Sequence, residues 1–221
     1  MDTEPVLRIR KILTVLRKET LQWKRPIVGT FATGENALFK ILASTLLSLR
    51  TKDKTTEEAS HRLFRVAQTP EELLKLSVPE IEKLIYPVGF YHTKARNLVK
   101  TCQELLSRFE GKVPDTMEDL LSLPGVGRKT ANLVLTVGHG IHGICVDTHV
   151  HRISNRWGFI KTKTPEETEM ALRKRLPKRY WIEYNDLLVA FGQNLCLPIS
   201  PFCSRCKVAT HCPKIGVKKH R

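Results

Sequence analysis

Three features of the sequence predict an all-α protein built from short helices. Four Ser or Thr residues are each followed three positions later by an acid: Thr69 with Glu72, Ser77 with Glu80, Thr116 with Asp119 and Thr164 with Glu167. A hydroxyl at a helix N-cap accepts from the amide three residues on while the acid reaches back, so each pair marks a helix start, Thr116 with Asp119 approximating the pattern. Between these starts the apolar residues recur at helical spacing, and no stretch alternates convincingly enough to read as a strand.

Taken in order, helices are expected near residues 5–18, 36–49, 54–67, 70–75, 78–83, 91–109, 117–122, 128–138, 147–157, 165–175 and 180–195. Pro70 and Pro165 fall at the first helical position, where the missing N–H costs nothing. The helix near 91–109 carries Ala95, Leu98, Cys102, Leu105 and Leu106 at the spacing of one buried face. Connections are short and hold Gly or Pro, as at Gly29, Gly34, Gly89, Gly111, Pro114, Gly138, Gly140 and Pro177. There is no low-complexity linker and no evident repeat.

A chain of 221 residues with 41% hydrophobic content can bury a proper core, which excludes general disorder. The start Met1-Asp2-Thr3-Glu4-Pro5 does not resemble a secretory signal, and no apolar run approaches a membrane span. The expectation is a cytoplasmic protein, associated with the nucleoid if prokaryotic, and a monomer. In a reducing compartment clustered cysteines more often hold metal than form disulfides.

The balance of 37 Lys and Arg against 22 Asp and Glu gives a formal net charge of +15, so nucleic acid is the natural first partner. Position sharpens this. No acid follows Asp186, whereas Arg205, Lys207, Lys214, Lys218, Lys219 and Arg221 all do.

Leu123-Pro124-Gly125-Val126-Gly127-Arg128-Lys129-Thr130 lies between the helix starting at Thr116 and the apolar run Ala131–Val137. Gly125 and Gly127 leave the turn nearly bare of side chains, so a phosphate can approach its N–H groups. The helix N-terminus that follows adds amide donors and a positive dipole end. Such a turn grips the DNA backbone without reading sequence. A bare Gly-x-Gly suits an ordinary helix connection equally well.

Cys196, Cys203, Cys206 and Cys212 fall within seventeen residues as C-x6-C-x2-C-x5-C. Four thiolates in one loop make a site for one metal centre. Zinc and an iron–sulfur cluster both take four cysteines, but structural zinc sites usually pair their ligands as C-x2–4-C, and only one such pair is present. Cys102 and Cys145 read as buried apolar thiols.

The string Leu-Pro-Gly-Val-Gly-Arg-Lys-Thr-Ala-Asn at 123–132 resembles the helix-hairpin-helix of the endonuclease III family. Val146-Asp147-Thr148-His149 resembles that family's aspartate segment, its Asp eighteen residues after Lys129, and the cysteine spacing matches the family's cluster loop. The resemblance runs from Leu47 through Cys212. It implies the helix-hairpin-helix DNA glycosylase fold: two helical domains with a cleft between them, and a C-terminal loop holding a 4Fe-4S cluster. The implied domains are a six-helix module of residues 31–141 and a discontinuous one of 1–30 and 142–221.

The implied activity is base excision repair on double-stranded DNA containing damaged pyrimidines or abasic sites, by a bifunctional N-glycosylase and abasic-site lyase. The implied catalytic residues are Lys129, which attacks the sugar, and Asp147, which stabilises developing charge or manages protons. Residues implied to meet DNA are Arg50, Phe90, Leu123, Gly125, Gly127, Arg128, Thr130 and His149. Arg50 stands where the family commonly has glutamine, and Phe90 matches an apolar wedge. A lysine amine that displaces a base forms a Schiff base with the opened sugar, and β-elimination follows. An ammonium cannot do so, and moving a lysine from about 10.4 to near 7 means disfavouring its charge by about 4–5 kcal/mol, which desolvation must largely supply.

The family's loop usually has basic residues between its first two cysteines, but Leu197-Pro198-Ile199-Ser200-Pro201-Phe202 has none, so Arg205, Lys207 and the tail are expected to take their place. Two other functions stay in view. A monofunctional mismatch glycosylase would free the base and leave the strand uncut; a non-catalytic DNA-binding iron–sulfur protein would do neither.

Overall fold

The computed structural model describes residues 4–23 and 30–221; Met1 to Thr3 and Gly29, both used in the sequence reading, lie outside them. Eleven α-helices are present among the described residues, and no strand. The all-α expectation holds, and each helix falls close to its expected place.

The chain forms two compact units, Ile27–Ile141, and Met1–Pro26 with His142–Arg221. The first contains α2 (Ala37–Ser48), α3 (Asp53–Phe64), α4 (Pro70–Leu74), α5 (Val78–Ile85), α6 (Tyr91–Phe109), α7 (Met117–Ser122) and α8 (Arg128–Leu133). α8 runs on into a π-helical turn, Val134–Gly138, which the sequence did not signal. α2 is the central element: Phe39, Ile41, Leu42, Ala43, Leu46 and Leu47 are all buried, as a helix apolar on every side must be. The stripe Ala95, Leu98, Cys102 and Leu105 of α6 is buried as its spacing predicts.

The expected caps form. Thr69, Thr116 and Thr164 accept from the amides of Glu72, Asp119 and Glu167. The Glu72 and Glu167 carboxylates reach one residue further back, to the amides of Gln68 and Lys163 at 2.6 and 2.8 Å. Glu80 accepts from both the amide and the hydroxyl of Ser77, which holds its carboxyl below the usual range. α6 ends where Glu110 and Gly111 turn left-handed and the Gly111 amide returns to the Leu105 carbonyl at 2.9 Å.

The second unit contains α1 (Glu4–Glu19), α9 (Thr148–Arg156), α10 (Pro165–Arg175), α11 (Trp181–Asn194) and the loop that carries the four cysteines. α1 belongs to it because Ile9, Ile12, Leu13 and Leu16 share a core with Val150, Ile153, Trp157, Tyr184 and Leu188. Cys196, Cys206 and Cys212 pack against the edge of that core.

Candidate functional site

The hairpin rests on α6. Leu123 ends α7 and is 2% exposed, anchoring the turn in the core. Thr101 Oγ1 donates to the Pro124 carbonyl at 3.0 Å. Gly125 has φ +78°, a backbone conformation that favours glycine, and a Cβ there would lie 2.7 Å from Asn97 Nδ2, so that side chain would have to move. The Val126 amide closes the turn on the Leu123 carbonyl at 3.1 Å. Gly127 is the N-cap of α8, and no side chain caps that end. α8 therefore begins at an exposed glycine turn.

Lys129 is the second residue of α8, half-buried, beside half-buried Arg128. The Thr130 side chain is buried, and its hydroxyl has no hydrogen-bond partner among the described residues. Leu123 and Thr130 thus turn their side chains inward and offer a ligand only backbone groups. Gly125 and Gly127 are exposed. Arg50 and Phe90 are exposed too, with the Arg50 guanidinium carbon 4.6 Å from the Phe90 ring centroid.

Asp147 is the N-cap of α9. Its Oδ1 accepts from the amides of His149 and Val150, both at 2.9 Å, which fixes the carboxylate while Oδ2 makes no hydrogen bond to a described residue. His149 is half-buried, and its Nδ1 lies 3.1 Å from Arg152 Nη2, which also donates to the Cys196 carbonyl at 2.9 Å. Arg156, 7% exposed, donates to the carbonyls of Leu197 and Pro198 at 2.6 Å each and to Cys196 Sγ at 3.4 Å. Both arginines escaped the sequence reading; their i, i+4 spacing, one helical turn apart on one helix, was the available signal.

Cys196, Cys203, Cys206 and Cys212 line one cavity with Trp157, Phe191 and Pro201. Burial pushes the Cys203 and Cys212 thiols up and Cys206 to about 11, with the neighbouring cysteines adding to each shift. Thiolates crowded into one cavity repel one another unless a cation lies among them. Donors already point at them, from Arg156 to Cys196 and from the Lys214 amide to Cys212 Sγ at 3.3 Å. Among the described residues no three His, Cys, Asp or Glu side chains stand at the spacing of one metal ion. What the four sulfurs share is one cavity and one set of donors. Cys102 and Cys145 are buried elsewhere, and burial pushes Cys102 to about 12.

The loop's basic residues are already engaged. Lys207 pairs with Glu19 at 2.7 Å, and Arg205 and Arg221 stack on Phe202 at 5.5 and 4.1 Å. The chain end folds back on the loop, the Arg221 amide donating to Pro201 and its carbonyl accepting from Ser204. Ile199, 85% exposed, tips the segment between the first two cysteines.

Residues 43–178 match the profile of the HhH-GPD superfamily base excision DNA repair proteins. Endonuclease III of Thermotoga maritima is 50% identical over 190 residues, covering 85% of this chain and 89% of that protein. Endonuclease III-like protein 1 of Mus musculus is 45% identical over 79% of this chain, which spans 59% of its length. A solved trapped endonuclease III–DNA covalent intermediate superposes with a TM-score of 0.84 at 33% identity, covering 97% of each chain. A thermostable thymine-DNA glycosylase shares the fold at 22% identity and a TM-score of 0.81. The chain belongs to the endonuclease III family of base excision DNA repair proteins.

Proposed function

We propose that Lys129 is the nucleophile of a bifunctional glycosylase and abasic-site lyase acting on double-stranded DNA with damaged pyrimidines or abasic sites. The activity follows from family membership; the observation that carries the residue assignment is the place of Lys129 in the first turn of α8, immediately after the glycine hairpin. The units 27–141 and 1–26 with 142–221 serve as its two domains, the first gripping the backbone and the second carrying Asp147 and the cysteines.

In this mechanism the neutral Lys129 amine attacks C1′. The C1′–N bond breaks, and the base leaves with its electron pair. The sugar ring opens to a Schiff base, a proton leaves C2′, and the C3′–O bond breaks to release the phosphate; water then frees the lysine. Asp147 accepts the lysine proton through the oxygen its cap leaves unused, and opposes positive charge as it develops at C1′. Chemistry at C1′ needs the nucleotide out of the stack. Phe90 wedges the strand while Arg50 meets the orphaned base, its five donors able to bond where glutamine would. Gly125, Gly127 and the amides of Arg128 and Thr130 hold the phosphate, with His149 on the aspartate helix.

Cys196, Cys203, Cys206 and Cys212 would hold a 4Fe-4S cluster, which supplies a cross-link for a loop with little apolar burial of its own. Their convergence on one cavity supports this reading, and their C-x6-C-x2-C-x5-C spacing, with a single close pair, favours it over zinc. No helix among the described residues is long and apolar enough to cross a membrane. A DNA substrate implies a cytoplasmic protein, associated with the nucleoid if prokaryotic.

Incubation with a duplex containing an oxidised pyrimidine, with and without borohydride, tests the assignment. A trapped protein–DNA adduct together with strand cleavage is expected. Base release without either would identify the monofunctional alternative, and binding without base release the non-catalytic one.

A further inference from the structure

Lys94 is a lysine kept almost wholly from water, 7% exposed on α6. Its Nζ donates to the carbonyls of Leu47 and Leu49 at 2.7 and 2.5 Å and to Thr51 Oγ1 at 3.1 Å. Leu47 lies in the last turn of α2 and Leu49 is its C-cap, so the ammonium sits on the negative end of that helix. The Thr51 hydroxyl is fully used. It donates to the Leu49 carbonyl at 3.3 Å and accepts from both Lys94 and the Gly89 amide, the latter at 3.2 Å. Gly89 in turn approaches so closely that a Cβ would stand 2.9 Å from the Arg50 carbonyl.

This knot binds the segments on either side of Arg50 and Phe90. Both residues are left-handed, with φ +53° and +60°, a conformation that side-chain-bearing residues hold only when their surroundings enforce it. Their side chains meet as an exposed cation–π pair. Among the described residues the partners of Lys94 are carbonyls and a hydroxyl, with no carboxylate to offset its buried charge. Burial accordingly pushes its pKa down to about 8.

We propose that Lys94 is a positioning residue for nucleotide extrusion: through Thr51 and the end of α2 it holds Arg50 and Phe90 as one preformed pair that enters the duplex. The inference rests on the reading of Arg50 and Phe90 as the residues that enter the stack. A pair ordered beforehand loses less freedom on binding, so the knot acts on extrusion and leaves the chemistry at C1′ alone.

The test compares Lys94→Met, Thr51→Val and the double variant Arg50→Ala/Phe90→Ala under single-turnover conditions. One substrate is a duplex with a paired oxidised pyrimidine; the other has an abasic site facing a one-nucleotide gap, where no base must be unpaired. Lys94→Met slows the first about ten- to hundred-fold, as small misplacements do, and leaves the second within about two-fold. In the Arg50→Ala/Phe90→Ala background it adds less than about two-fold, because coupled residues are not additive. Thr51→Val shows the same pattern with a smaller effect, and carries the test should Lys94→Met not fold. Equal slowing on both substrates, full additivity, or an unchanged duplex rate in Thr51→Val would overturn the proposal. An unaffected duplex rate in Arg50→Ala/Phe90→Ala would sink the reading of the pair itself, and the proposal with it.

Discussion

The hairpin offers backbone groups and the cysteine loop offers four sulfurs, and the two segments are held by different means. The hairpin stands on a complete helical core: Leu123 is buried, Thr101 bonds Pro124, and Asn97 lies beneath Gly125. Between Cys196 and Cys212 only Pro201 and Val208 are buried, and the loop is tied by Arg152, Arg156 and the returning chain end. A segment with so little apolar burial cannot offset its own ordering entropy. The hairpin is therefore a property of the folded chain, whereas the loop depends on whatever the four sulfurs bind.

Loss of one cysteine should break this comparison most strongly. Cys203→Ala is expected to open residues 196–221 to protease and to weaken DNA binding, while amides of α2 to α8 keep their hydrogen-exchange protection. Equal loss of protection in both units would show that the hairpin unit has no independence.

On the aspartate helix, charge and cap can be separated. Asp147→Asn keeps an oxygen for the amides of His149 and Val150, so stability should hardly change while turnover falls by about 10²–10⁴-fold. Asp147→Ala should lose turnover similarly and a further ~1 kcal/mol of stability. Thermal melts alongside rates decide this, and an active Asn variant would remove the proton role.

The hairpin unit carries its own pH signature. The folded pKa of Lys94, about 8, lies below the ordinary value of 10.5 that the unfolded chain restores. The unfolded chain therefore holds the extra proton between those values, and stability from this group rises as pH climbs from about 8 toward 10.5, by up to about 3 kcal/mol. Urea midpoints of the parent relative to Lys94→Met should diverge over that range; a constant difference would contradict it.

Gly125→Ala should cost about 1–2 kcal/mol for the left-handed backbone alone, and weaken DNA binding as Asn97 is displaced. The smallest effect belongs to the other unit. Arg17 and Glu183, paired at 2.5 Å but partly exposed, should lose no more than about 1 kcal/mol in Arg17→Ala.

Much of this was legible in the chain. Helix starts are local chemistry, so Thr69, Ser77, Thr116 and Thr164 could be read directly, and the hairpin and cysteine spacing are contiguous strings. What could not be read depends on tertiary approach. Nothing near Gly125 announces Asn97, 28 residues earlier, and nothing near Cys196 announces the arginines of α9. Lys94 did leave a trace, since it falls on the buried stripe of α6 with Leu98, Thr101 and Leu105, where a lysine is out of place.

The most direct test of the central claim is to trap the parent protein on an abasic duplex with borohydride, digest the adduct and map the modified peptide by mass spectrometry. The modification is expected on Lys129, with none formed by Lys129→Ala. An adduct on another lysine of the parent would contradict the account.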